Sequence, residues 1–586
     1  RRTGVAAVGA RAADRDSRRM TAQPAAAAAP RAGIGAHVNA AGFNALLVVA
    51  FVAGVALRVW QIDIQIPIDD EWHAIHKLLG AGPLDIFTHV GYADYSIPLT
   101  LYYQTLYRTV GLSEWGLHLP ALVASIGLLL IGPRLLASSF ALPTRALWMA
   151  LVAISPLLVY HGRIARPYAL TCLLAFVAIF CFRAWRQEGR RRDAIVYAMA
   201  TVLAGWLHAI TLPFTLAPFV YYGVRALRPL DREALARLLK LGLLTALPLA
   251  LLLGPPIVVD WTEFSGKAGL DHVTAESAYR SALMLAGTGS AIASLVFYAA
   301  VIAGWYRINR HDRDLAAYLA TVIGLGTLTV ASSRAGLISH PLVFARYLLP
   351  ALPFVLLLAA EGAAAALAGM QRRSGMTTAS TAVVAPFIAS AAVAAMFMAG
   401  PIPAWLHYPN QFIAHLRYQF DYDPARNPYV QRVPKEPIPA FYAELGTRPP
   451  GSITLVETPW RLESHFNALS LYQDTHRQRI MIGLVTPTCG TFDFGEYPMT
   501  DPGMRMREFV HLASIIRGDR IAADYLVVHL RPANVAAEPP AWPDMAACLP
   551  AIEAALGAPV WRDQWMRVFA LPKLSPLGNG RRTVQQ

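Results

Sequence analysis

Three consecutive acidic residues, Asp69, Asp70 and Glu71, come shortly after the first long apolar run of the chain, residues 44–60. A carboxylate at the edge of a bilayer is costly unless it faces water, a cation or a reacting group. At such a place it could act as a general base or orient an acceptor. The alternative is that these are ordinary loop acids at the outer end of a helix. The acidic triplet is therefore a candidate reaction centre.

Two arginine-containing stretches lie on the same predicted side of the membrane as the acids. Arg163 and Arg166 occupy a short turn, and Arg346 begins the apolar run 346–369. Pro167 disfavours helix at Arg166, so this side chain should lie where a helix begins and free N–H groups attract anions. Arginine also suits bidentate phosphate binding. These arginines favour a phosphate site, although lipid-headgroup anchoring would use the same residue type.

His208 and Lys267 are weaker candidates on the same side, since a single membrane-edge histidine is more often structural and a loop lysine is more often solvated. The sequence has no Cys/His zinc spacing, no phosphate-binding Gly-rich loop and no Gly-x-Ser-x-Gly motif. Nucleotide donors are not expected outside the cytoplasm. A phosphate-bearing lipid is therefore the natural donor for chemistry at this site.

The composition is that of a membrane protein. Of the 586 residues, 55% are hydrophobic and 15% are charged, whereas soluble proteins carry about 25% charged residues. The net charge of +14 fits arginine-rich cytoplasmic loops between apolar runs. No nucleic-acid-binding motif accompanies it, so we expect no nucleic-acid partner.

The apolar runs predict about eleven transmembrane helices, with the N-terminus in the cytoplasm. The first outer loop would cover residues 61–117. We find no internal repeat, which argues against transporters built from inverted repeats. The predicted spans are 44–60, 118–137, 145–160, 167–185, 194–208, 209–224, 239–258, 281–305, 315–332, 346–369 and 379–399, and the two around His208 are short enough that one span could have been divided.

Composition divides the chain into three parts. Residues 1–43 read as a disordered basic segment, residues 44–400 as the membrane module, and residues 401–586 as a soluble α/β domain outside the membrane. A disulfide between Cys489 and Cys548 is permitted there, and two free thiols are an equal alternative. The expected strands of this domain are 452–456, 525–529 and 566–571, and its expected helices lie near 438–445, 504–516 and 544–556.

Several short motifs resemble those of membrane glycosyltransferases with the GT-C fold, in the protein-mannosyltransferase and aminoarabinose-transferase superfamily. They occur in the family's order between residues 44 and 370. Ile97 is a departure, since it replaces the first proline of a Pro-Pro pair. The matching stretches are 70–74, 96–103, 113–120, 163–170 and 346–350.

The resemblance implies a GT-C-like enzyme that transfers a sugar, with inversion, from a polyprenyl-phosphate donor to an acceptor outside the cytoplasm, in a bacterial inner membrane. Asp70 would be the base with Glu71 beside it, and Asp69 is a further candidate. The resemblance implies no required cofactor, and binding of a divalent cation stays open. The acceptor could be a lipid, a glycan or a protein. The donor-phosphate site would comprise Arg163, Arg166, Tyr168 and Arg346.

Two other functions are compatible with these residues. A lipid-linked glycan transporter, or flippase, would use the same arginines to hold a lipid phosphate. A catalytically inactive scaffold would keep the fold without turnover. The long first loop and the Asp-Glu pair favour a transferase.

Overall fold

The computed structural model describes residues 34–65, 71, 81–91, 96–228, 230–266, 269, 271–373, 378–406, 438–459, 469–484, 509–530 and 545–572. These residues form a large helical bundle followed by a six-stranded sheet. The predicted fold class, a mostly α-helical membrane protein with a C-terminal α/β unit, is confirmed. Asp69, Asp70, Lys267 and Cys489 lie outside the described residues.

Every predicted span contains a helix. In the described part of the chain, seven helices are long and apolar enough to cross a membrane, rather than about eleven. The seven are Ala40–Val59, Trp115–Ser138, Tyr168–Glu188, Arg232–Val259, Ala291–His311, Arg313–Ser332 and Leu352–Arg373. The remaining predicted spans correspond to Leu142–Ile154, Arg191–Leu207, Leu212–Leu227 and Thr378–Met398.

The first helix, Ile34–Val59, begins ahead of the predicted boundary at residue 44. The chain around His208 does contain two helices, since Arg191–Leu207 and Leu212–Leu227 are separated by a short 3-10 turn. The division of the chain at residues 43 and 400 stays a prediction.

Two predicted spans are interrupted. The run 281–305 is divided between Ala275–Ala286 and Ala291–His311. Gly287 ends the first of these helices in the left-handed conformation, with φ +77°, and the Ser290 side chain caps the second. The run 145–160 is divided at Ser155, because Pro156 has no N–H to continue the hydrogen-bond ladder.

Arg346 does not open a membrane span. It lies in the last turn of a short helix, Pro341–Tyr347, and the long helix begins only at Leu352. Pro350, between the two helices, is incompatible with an uninterrupted helix. The arginine is thus placed in a connection ahead of the span, where its side chain can face a site.

The helices Ala291–His311 and Leu352–Arg373 pack closely through glycine. A Cβ added to Gly304 would overlap the Leu358 carbonyl oxygen, and one added to Gly362 would overlap the Ala300 carbonyl oxygen. Small residues permit this backbone approach between membrane helices. The contact fixes the helix that follows the Arg346 connection.

Replacing Gly362 with valine is expected to destabilise the fold by about 1–3 kcal/mol, because the new side chain must push the two helices apart. Gly369→Val is the matched control, since Gly369 is in the same helix and has open space around it. The midpoint of thermal unfolding in detergent measures the difference. Equal midpoints for the two variants would contradict the close packing at Gly362.

The six strands of the sheet are β1 Thr454–Thr458, β2 Arg479–Leu484, β3 Phe509–His511, β4 Tyr525–His529, β5 Trp561–Arg562 and β6 Met566–Ala570. Their order in the sheet is β3-β2-β1-β4-β6-β5. The first four strands in this order are parallel, β6 pairs antiparallel with β4, and β5 pairs antiparallel with β6. This pattern is that of a mostly parallel α/β sheet with an antiparallel edge.

All three predicted strands are present, and β4 has the predicted bounds. The predicted helix 504–516 is wrong at residues 509–511, because these pair with β2 as a strand, and it is present at Leu512–Ile516. Residues 504–508 lie outside the described residues. The strands β2 and β5 and the helix Leu469–His476 were not predicted. Two predicted helices are present as Ala440–Leu445 and Met545–Leu556.

The sheet and its helices, residues 438–572 as described, are called the sheet unit below. One apolar cluster joins the sheet unit to the predicted first loop, residues 61–117, with Tyr103 and Leu112 on one side and Leu455 and Val568 on the other. The loop is itself structured, since it contains the helices Pro83–Thr88 and Ile97–Thr109. Cys548 is disulfide-bonded, whereas Cys172 and Cys181 are free.

Candidate active site

The turn that carries Arg163 and Arg166 connects two helices. Pro156–His161 ends before it, and Tyr168–Glu188 begins after it with Pro167 as the N-cap. Arg166 therefore lies directly before the start of a helix, as the sequence analysis predicted from Pro167. Gly162 lets the turn approach the neighbouring helix, since an added Cβ would overlap the Ser125 side chain.

Arg163 faces the protein interior and is 1% exposed. Its Nη1 donates hydrogen bonds to the carbonyl oxygens of Leu57 (3.2 Å) and Arg58 (3.3 Å), and its Nη2 donates to Gln65 Oε1 (3.1 Å). These acceptors hold the end of the first helix against the turn. The described hydrogen bonds of Arg163 are thus made to structural partners in the first helix and the segment after it.

Arg346 lies among aromatic rings. Its Cζ is 5.5 Å from the ring centroid of Tyr168 and 5.5 Å from that of Tyr347. His208 contacts both rings, with centroid distances of 5.4 Å to Tyr168 and 5.9 Å to Tyr347. Cation–π contacts at these distances hold a guanidinium in place without neutralising its charge. Three predicted site residues, Tyr168, His208 and Arg346, are therefore brought together.

Arg166 joins this group from a different element. The charges of Arg166 and Arg346 both act on the His208 ring. The buried Nδ1 of His208 makes no hydrogen bond within the described part of the chain. Two guanidinium groups thus come close enough to act on one imidazole, and guanidinium is the group best suited to binding a phosphate.

His340 borders the same connection, directly before the helix Pro341–Tyr347. Burial, together with the charges of Arg346 and Arg280, lowers the pKa of this imidazole to about 4. His340 is therefore neutral at pH 7, so the positive charge of this region comes from arginine.

Glu71 connects the acidic triplet to the arginine turn. The carboxylate is 0% exposed, and its Oε1 accepts a hydrogen bond from the backbone N–H of Ala165 at 2.6 Å. The same oxygen lies 2.7 Å from His118 Nε2. Ala165 directly precedes Arg166, so Glu71 fixes the backbone from which the Arg166 side chain extends.

Tyr103 completes this arrangement from the helix Ile97–Thr109. Its hydroxyl donates a hydrogen bond to the carbonyl oxygen of Ala165 at 3.3 Å. Burial and then the charge of Glu71 raise the pKa of the Tyr103 hydroxyl, which therefore stays protonated as a donor. Ala165 is thus held through both its N–H and its carbonyl group.

The sequence did not single out Tyr103 as a site residue, and it did not identify His118 or Tyr347 either. All three lie inside stretches that carry the family resemblance, at 96–103, 113–120 and 346–350, so their position in those motifs was the available signal. Among the described residues, no group of three or more His, Cys, Asp or Glu side chains could hold a metal ion.

Comparison with known proteins gives matches only among solved structures: neither a protein-family model nor a curated protein matches the chain. Two crystal structures of ArnT from Cupriavidus metallidurans are similar to it, one in the apo state and one bound to undecaprenyl phosphate. Both are 14% identical with a TM-score of 0.41, and they cover 90% and 92% of this chain and 98% of their own chains. The chain is thus similar, over nearly its whole length and at low identity, to two structures of ArnT.

Proposed function

We propose that this protein is a membrane glycosyltransferase that takes a sugar from a polyprenyl-phosphate donor. The observation that carries the proposal is the convergence of Arg166 and Arg346 beside His208, next to a turn that is fixed by the buried Glu71. A phosphate placed there would meet two guanidinium groups from separate elements. Aromatic rings would flank it without competing for its charge.

The reaction requires stabilisation of a leaving phosphate. The acceptor oxygen forms a bond to the anomeric carbon as the bond from that carbon to the phosphate oxygen breaks, and the electron pair leaves with the polyprenyl phosphate. Arg166 and Arg346 stabilise the negative charge that develops there. Attack opposite the leaving group inverts the anomeric configuration. The step as written uses no metal ion.

The acceptor proton must go to a base. We assign it to Asp70, which directly precedes the anchored Glu71 in the sequence. Glu71 accepts the Ala165 N–H and lies against His118 Nε2, so we assign it to positioning of the turn. Asp69 stays a further candidate in the same triplet, and Arg163 holds the turn rather than the phosphate.

The proposed location is a bacterial inner membrane, with the N-terminus in the cytoplasm and the sheet unit in the periplasm. The arginine-rich connections between spans support this orientation. The disulfide at Cys548 supports an oxidising compartment for the sheet unit. A lipid, a glycan or a protein outside the cytoplasm would be the acceptor.

Changing Asp70 to asparagine is expected to lower turnover by about 10²–10⁴-fold, because the amide cannot accept the acceptor proton. The assay measures sugar transfer from a panel of labelled polyprenyl-phosphate sugars, using purified protein in lipid and a crude envelope fraction as acceptor. Asp85→Asn is the matched control, since Asp85 is an exposed carboxylate of the same loop that caps a short helix.

If wild type and Asp85→Asn both transfer sugar and Asp70→Asn does not, the protein is a lipid-dependent transferase and Asp70 is its base. Equal turnover by both variants would refute the assignment of Asp70. Absence of transfer with every donor, together with movement of the intact donor across the bilayer, would favour a transporter instead.

A further inference from the structure

A five-residue segment, 61–65, connects the first membrane helix to the acidic triplet and contacts the sheet unit. The carbonyl oxygen of Ile64 accepts a hydrogen bond from Gln473 Nε2 at 2.5 Å. Asp63 Oδ2 lies 2.7 Å from Arg479 Nη2. These contacts join positions more than 400 residues apart in the chain, so they form only when the sheet unit is docked.

The contact with Ile64 is buried and closely fitted. Gln473 is 0% exposed, and its Nε2 also donates to the carbonyl oxygen of Gln478 at 3.0 Å. Gly451, with φ +68°, lies close enough that an added Cβ would be 3.1 Å from Ile64 Cγ2. A buried side-chain amide with two backbone acceptors has little freedom to move. The sheet unit therefore fixes the backbone at Ile64.

The other side of the segment is held by the arginine turn. Gln65 is 1% exposed, and its side chain exchanges hydrogen bonds with Arg163: Gln65 Nε2 donates to the Arg163 carbonyl oxygen at 3.4 Å, and Arg163 Nη2 donates to Gln65 Oε1 at 3.1 Å. Segment 61–65 is thus placed between the sheet unit and the turn that carries Arg166.

Only five residues, 66–70, separate Gln65 from Glu71 in the sequence. Gln65 is anchored as described, and Glu71 is anchored to Ala165 and His118. Both anchors reach the same turn, since Gln65 binds Arg163 and Glu71 accepts the Ala165 N–H. The contact of the sheet unit with Ile64 is therefore linked, through Gln65, to the turn that carries Arg166.

We propose that Gln473 and Arg479 are positioning residues for the turn that carries Arg166, which they hold through segment 61–65, so that docking of the sheet unit controls the rate of transfer. This inference rests on the proposed function. Neither residue needs to touch the donor or the acceptor. Their effect is geometric, and a displacement of about 1 Å at a reacting group can cost about 10²-fold in rate.

Charge reversal tests the exposed contact. Asp63→Arg and Arg479→Asp should each lower kcat by roughly 10-fold with little change in the KM for the polyprenyl-phosphate donor, and the double variant should recover most of the loss. The unfolding midpoint should hardly change, because exposed ion pairs contribute little to stability. Arg517→Asp is the matched control, since the Arg517–Asp519 pair is also exposed and lies within the sheet unit.

Hydrogen exchange of the full-length protein in lipid nanodiscs tests the buried contact without an activity assay. In Gln473→Leu, peptides that cover residues 61–71 should exchange faster, while β4 keeps its protection. The same acceleration is expected in Arg479→Asp, which provides a second test if the Gln473 variant does not fold.

If wild type shows no transfer, the proposed function fails, and hydrogen exchange still decides whether the sheet unit holds this segment. Unchanged kcat in both single variants, or unchanged exchange over residues 61–71, would overturn the inference.

Discussion

Replacing Arg346 with alanine is expected to lower kcat for sugar transfer by about 10²–10³-fold, because the leaving phosphate loses one of its two guanidinium partners. The Arg346 side chain lies over the rings of Tyr168 and Tyr347, so its removal opens space beside these two rings. Turnover of a labelled polyprenyl-phosphate sugar in lipid measures the effect.

Two further variants sharpen this test. Arg346→Lys keeps the charge and loses the planar donor fork, so an intermediate rate is expected. Arg134→Ala is the control, since it also removes an arginine, but at the other end of the bundle. The Arg134 Nη1 donates only to the Leu130 carbonyl oxygen of its own helix among the described contacts. An Arg346→Ala enzyme as fast as Arg134→Ala would exclude Arg346 from the phosphate site.

The positions of the helices followed largely from local sequence, and their interruptions did not. Averaging hydropathy over a span conceals single residues, so the helix end at Gly287 and the break at Pro156 were included in continuous spans. Arg346 was misplaced for the same reason, since Pro350 divides the run that it appeared to open. Each of these breaks has a local cause that a residue-by-residue interpretation could have used.

The residue types of the candidate site were predictable from the sequence, but the role of each residue was not. Arg166 and Arg163 are three positions apart in one motif, yet one lies beside His208 and the other is buried against the first helix. That difference arises from packing between segments that are distant in sequence. The contact of Gln473 with Ile64 is another such case, since no local pattern relates these two positions.

Glu71→Ala is expected to have the largest effect on stability, with a loss of roughly 3 kcal/mol or more in the free energy of unfolding. The change removes the carboxylate that meets both the Ala165 N–H and His118 Nε2, and it leaves these buried groups without that acceptor. Equilibrium unfolding in mixed detergent micelles measures the loss. The exposed Glu233 provides the control, since its pair with Arg237 lies on a helix surface and Glu233→Ala should cost less than about 0.5 kcal/mol.

The same position separates a structural role from a chemical one. Glu71→Gln keeps an oxygen for the Ala165 N–H, so it should recover part of the stability and much of the turnover, whereas a proton-accepting carboxylate would not tolerate the amide. A double-mutant cycle with His118→Ala should give a coupling energy of about 0.5–3 kcal/mol, as expected for groups in one hydrogen-bonded cluster. If Glu71→Gln were stable and yet as inactive as Asp70→Asn, Glu71 would be a second reacting carboxylate.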